Sequence, residues 1–170
     1  SELYDDEKMG DKLEDFEILR IHTDQSIKSI NSLVNQKIYS MKTINYKKNN
    51  LGPKFKESLL NQIKSFLKLN YFYILKYYKY FETDKEIHII MEHTNNGSLK
   101  DFIKLHSSLN INISEEYLWN VFIQCAKAVR YLHSNDIIHQ SISPKHFLMT
   151  NEKLVKLELC PEKDKYEIYK

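Results

Sequence analysis

The chain has 170 residues, of which 42% are hydrophobic and 28% charged, with a formal charge of +2, a balance that excludes a disordered or membrane-embedded protein. Its three glycines, Gly10, Gly52 and Gly97, stand too far apart for a G-x-G-x-x-G turn or a Walker loop, so a glycine-built phosphate cradle is excluded. Two cysteines, Cys125 and Cys160, exclude a disulfide framework; with no apolar secretory leader expected, the reading is a cytoplasmic protein.

Residues 1–17 carry a net charge of −6, which leaves +8 on the rest. Residues 1–13 accordingly read as an acidic, solvated arm. Phe16 to Ile21 and Lys37 to Ile44 alternate as strands do, and the polar stretch from Thr23 to Asn35 between them reads as a hairpin region. After the turn cluster Asn49 to Pro53, Leu59, Ile63, Phe66 and Leu67 recur at helical spacing. Strands are predicted at Ile74 to Phe81 and Glu86 to Glu92, around a turn at Glu82 to Lys85.

The pattern then changes. Ser98 with Asp101 fits a capping box that opens a short helix. Ser114, followed by Glu115 and Glu116, opens a long one, with an expected buried stripe of Leu118, Val121, Phe122, Cys125, Val129 and Leu132. Short strands are expected at Ile137-Ile138, Phe147 to Met149 and Leu154 to Leu157. A strand-rich half precedes a helical one.

His139-Gln140-Ser141-Ile142-Ser143-Pro144-Lys145-His146 resembles the H-R-D-L-K-P-E-N loop of protein kinases. Tyr39-Ser40-Met41-Lys42 resembles the V-A-I-K strand, and Ile90-Met91-Glu92-His93 with Gly97-Ser98-Leu99 resembles the hinge. The helix at 53–69 falls where the αC helix belongs, and Leu159-Cys160-Pro161 where D-F-G is expected. Tyr77-Tyr78, Gly97-Ser98-Leu99 and Phe122 to Cys125 are more loosely similar to the NIMA-related serine/threonine branch. The resemblance implies an α+β kinase-like fold: an arm at 1–13, a β-rich N-lobe with an αC-like helix at 14–92, and the hinge with the first, truncated part of a helical C-lobe at 93–170.

Phosphoryl transfer needs a Lys on the phosphates, a Glu that restrains it, a base and oxygen ligands for magnesium. In this frame only Lys42 survives. Gln62 replaces the Glu, and its neutral amide can hydrogen-bond Lys42 but not pair with its charge. Ser141 replaces the base, and a serine hydroxyl is a poor proton acceptor at neutral pH. His146 and Leu159 replace the two magnesium anchors, and leucine offers no ligand at all. His22, Asp24 and Ile27 fall across the glycine-loop positions.

The resemblance with these losses implies a pseudokinase, an inactive scaffold or allosteric partner without a catalytic residue. Lys42, Met91 and His93 are the relic nucleotide contacts, Lys42 being set against a plain solvated lysine. No cofactor is required, ATP bound weakly or without magnesium being the role left open, and no metal is expected, since the histidines match no zinc spacing. The alternative is an atypical active kinase that holds ATP through Lys42 and the Met91–Thr94 hinge, with Glu158 as a displaced acid. A third reading, resting on the basic body, is a cytoskeletal or ciliary component that meets acidic tails such as those of tubulin. A protein partner is expected on the 114–133 helix face or on the aromatic 71–81 segment, for which stacking on nucleic acid is the lesser reading.

Overall fold

The computed structural model describes residues 8–22, 26–46, 53–151 and 154–159. These fall into two compact units, one made of residues up to Lys68 with Lys76–His93, the other of Leu69–Leu75 with the residues from Thr94 onward.

The first unit is built on a five-stranded antiparallel sheet of β1 (Phe16–Ile21), β2 (Ile27–Ser32), β3 (Ile38–Asn45), β4 (Tyr77–Glu82) and β5 (Glu86–Glu92), in the order β1-β2-β3-β5-β4. β5 lies between β3 and β4, and its run Ile87 to Met91 is buried throughout. One cluster gathers Met9, Ile30, Tyr39, Met41 and Ile90. Helix α1 (Pro53–Leu67) starts on a proline, which suits a first turn whose N–H groups have no partner inside the helix. It buries Leu59, Ile63 and Phe66, with the Phe66 ring 5.7 Å from that of Tyr77.

In the second unit, helices α2 (Leu99–Ser108) and α3 (Glu115–Ser134) accompany a hairpin of β6 (Phe147–Asn151) and β7 (Leu154–Leu157). The capping box is formed: Ser98 Oγ accepts from Asp101 N–H at 3.3 Å, and Asp101 Oδ2 accepts from Ser98 N–H at 2.9 Å. Gly97 ahead of it sits at φ +70, where a side chain would be strained. Ser114 Oγ caps α3 through Tyr117 N–H.

Five expectations need correction. The polar stretch before Lys37 holds a full strand, β2, pairing with β1 and β3. Its buried polar groups disguised it: Ser32 Oγ donates to the Met9 carbonyl and Ser29 Oγ pairs with His22 Nε2. The arm is not wholly solvated, for Met9 is 1% exposed in the sheet core, and Lys79 Nζ holds the Gly10 carbonyl; residues 1–7 lie outside the described residues. β4 begins at Tyr77 rather than Ile74, because Ile74 belongs to the second unit and bridges Leu157 within it. Ile137-Ile138 is not a strand; Ile137 N–H instead bonds the Leu132 carbonyl at the end of α3.

The fifth correction concerns α3, whose buried positions are Val121, Gln124, Ala128 and Leu132, whereas Leu118 and Phe122 are 51% and 61% exposed. Gln124 is inside because its Oε1 accepts the Val155 N–H at 3.0 Å, tying the helix to β7. An apolar count could not favour that residue.

Candidate functional site

In the first unit, β3 carries Lys42 opposite Ile89 of β5 and Ile27 of β2. Strand alternation puts Ser40 on the same face as Lys42, and Ser40 Oγ lies 3.0 Å from Nδ1 of His93, just past β5. That pair fastens the end of β5 to β3. Met91 is buried opposite Ser40, and Glu92 Oε2 accepts the Lys76 N–H at 3.1 Å.

Gln62 stands on α1 with its Oε1 buried and without a hydrogen-bond partner. The Lys42 ammonium therefore does not donate to it, and the amide link allowed by the sequence is not formed. His22 is turned onto the sheet through Ser29, and its N–H closes on the Ile27 carbonyl at 3.1 Å; Asp24 lies outside the described residues.

The second unit brings Ser141, His146, Glu158 and Leu159 together around His139. Ser141 N–H donates to His139 Nδ1 at 3.2 Å, so that nitrogen is an acceptor, and Nε2 is left to donate to the Glu158 carbonyl at 2.8 Å. His146 Nδ1 donates to the Ser141 carbonyl at 2.6 Å, and Glu158 N–H donates to the His146 carbonyl at 2.8 Å. The His139 imidazole thus ties the loop to the residues after β7, and the His146 imidazole closes the loop on itself, each through a main-chain carbonyl. His146 and Glu158 are buried, and Leu159 is 1% exposed. Cys160 and Pro161 lie outside the described residues.

Both His139 ring nitrogens are committed to backbone partners, an arrangement suited to holding a loop rather than to moving a proton. Among the described residues no group of three or more His, Cys, Asp or Glu side chains is placed to hold a metal. The sequence reading missed the Ser40–His93 pair and the Gln124–Val155 bond. Neither leaves a local signal, because each joins residues far apart in the chain.

Residues 25–158 match the family model described as "Protein kinase domain". The chain belongs to the protein kinase domain family.

Among kinase relatives, an Aurora kinase of Saccharomyces cerevisiae is 32% identical over 89 residues, 52% of this chain and 23% of its own. The probable serine/threonine-protein kinase nek2 of Dictyostelium discoideum is 28% identical over 113 residues, 64% of this chain and 27% of its own. The NIMA-like flavour is thus one of several branch likenesses. A solved kinase structure, Rad53 1-466 in complex with AMP-PNP, superposes with a TM-score of 0.74 at 22% identity, covering 88% of this chain and 39% of that one. That likeness shows the kinase fold. The matched stretch spans less than a third of the curated relatives named here.

Proposed function

We propose that this kinase domain does not transfer phosphate and works as a scaffold or allosteric partner in a larger protein assembly. The observation that carries the reading is the knitted loop. At the positions where the family keeps a base and two metal anchors stand a serine, a buried histidine that bonds main chain, and a buried leucine.

These residues do not fit magnesium. The ion wants near-octahedral oxygen ligands; Leu159 has no donor in its side chain, and His146 offers nitrogen, with Nδ1 held by the Ser141 carbonyl. The nucleotide role proposed for Lys42, Met91 and His93 is weak binding independent of magnesium.

Two features support partner binding. Leu118, Trp119, Phe122 and Ile123 leave an apolar strip exposed along α3, and such a strip is covered in the working protein by further chain or by a partner. The aromatic segment after α1 is the other surface. No helix among the described residues is long and apolar enough to cross a membrane; a cytoplasmic site of action, cytoskeletal or ciliary included, is part of the proposal.

The test is phosphotransfer from radiolabelled ATP to the chain itself and to generic protein substrates, with Lys42→Met alongside. Signal no greater than that of Lys42→Met is the expected result. Signal present in the parent and lost in Lys42→Met contradicts the proposal.

A further inference from the structure

Helix α3 presents a second face besides the one that holds the core. Along it Glu115, Trp119, Phe122, Ala126, Val129 and His133 follow one another at alternating steps of four and three residues. That spacing keeps side chains on one line, as in a helix packed against another helix.

The two halves of the line differ in shape. Toward the N-terminus it is a ridge: Trp119 and Phe122 are exposed, with their rings edge-to-face and centroids 5.9 Å apart, and Trp119 Nε1 donates to Glu115 Oε1 at 3.2 Å. Toward the C-terminus it is a hollow of about 600 Å³, lined by Ala126, Val129, Ile142 and Phe147 together with Arg130 and His133. Scattered exposed apolar side chains are ordinary, but here a ridge and a hollow share one line. The contacts within the ridge set its rings before any partner arrives, so docking loses little side-chain freedom.

We propose that α3 pairs with α3 of a second copy of this chain, antiparallel about a two-fold axis level with Gln124, so that each ridge enters the other's hollow. In that register Phe122 lies over the second copy's Ala126, Trp119 over its Val129, and Glu115 meets its His133 and Arg130. Large side chains face small ones, as packing to interior density requires. The charges select the same direction: the first turn carries Glu115 and Glu116, and the end of the helix carries Arg130 and His133. An antiparallel pair therefore sets acidic against basic groups at both ends, and the helix dipoles run opposite ways. A parallel pair sets Phe122 on Phe122 and like charges on like. Two-fold symmetry satisfies both copies at once, whereas a different protein would have to supply its own ridge, hollow and charge order. The inference deepens the partner-binding reading and rests on it.

The experiment is sedimentation of the whole chain across micromolar concentrations. The expected result is a mass that rises with concentration toward twice the 20.4 kDa of one chain. Phe122→Ala removes the knob and Ala126→Phe fills the hollow, and each is expected to weaken pairing about tenfold or more. Their equimolar mixture is expected to pair as the parent does, because the enlarged side chain of one then faces the shortened side chain of the other; native mass spectrometry resolves this mixed dimer. Arg130→Glu is expected to weaken pairing severalfold by setting acid against Glu115. All three positions are exposed, so circular dichroism of the variants is expected to match that of the parent. A chain that stays monomeric, whose strip then belongs to a different partner, overturns the proposal. So does pairing indifferent to Phe122→Ala, or a mixture that fails to recover. A failure of the non-catalytic reading shows separately, as phosphotransfer.

Discussion

The two units answer the loss of kinase residues in different ways. In the first, β3 keeps Lys42, but Gln62 on α1 leaves an amide oxygen buried and unpartnered, a defect that commonly costs about 1–3 kcal/mol. In the second, Ser141, His146 and Leu159 are absorbed into the local structure, through main-chain hydrogen bonds and close burial. A vacated role can thus persist as a gap or be rebuilt as architecture. On the proposed non-catalytic reading, the gap suits a part whose ligand contacts are only partly erased, whereas the loop depends on its replacements.

That contrast predicts which substitutions hurt. Leu159→Asp, which restores the family's acid, is expected to have the largest effect, costing more than about 3 kcal/mol, because it removes packing and places a carboxylate where almost no water reaches. Chemical denaturation checks the loss, and a stable, active Leu159→Asp protein breaks the contrast. Met9→Ala is expected to cost about 2–5 kcal/mol, the range for emptying a buried methionine site. Hydrogen exchange should place that loss in the first unit and spare the second; uniform loss counts against independent cores.

Gln124→Ala is expected to cost about 1–3 kcal/mol by leaving the Val155 N–H without its acceptor. Faster exchange confined to α3 and the β6–β7 hairpin sharpens the picture of a second unit held by polar ties. The smallest effect concerns pH. His88 is buried beside Thr43, whose Oγ1 lies 3.1 Å from Nδ1, and burial lowers its pKa below the usual histidine value of 6.5, with Lys28 adding to the shift and Glu86 opposing it. The unfolded chain therefore binds the proton more readily, and this stabilising contribution, full above 6.5, is lost as pH falls through the folded value. Denaturation at pH 7.5 and 5 should show less stability at the lower pH, with a smaller difference in His88→Gln.

Much of the fold was legible because its signals are local. Leu59, Ile63 and Phe66 announced α1 by spacing, Ser98 and Asp101 announced the start of α2 by chemistry, and the family resemblance rested on five landmarks in order. What escaped reading depends on distant partners. β2 hides behind serines whose hydroxyls bond Met9 and His22, and Gln124 looks like a surface residue until Val155 is opposite it. At the candidate site the replaced residues could be named from the sequence. The bonds that make His139 and His146 into loop ties could not, since the Glu158 and Ser141 carbonyls reach them only in the folded chain.

The most direct test of the central claim is the melting temperature of the chain against ATP, with and without magnesium, since a ligand that binds only the folded state must raise it. The account expects no magnesium-dependent shift, and at most a small rise with ATP alone that Lys42→Ala removes. A shift that appears only with magnesium and vanishes in Lys42→Ala would contradict it.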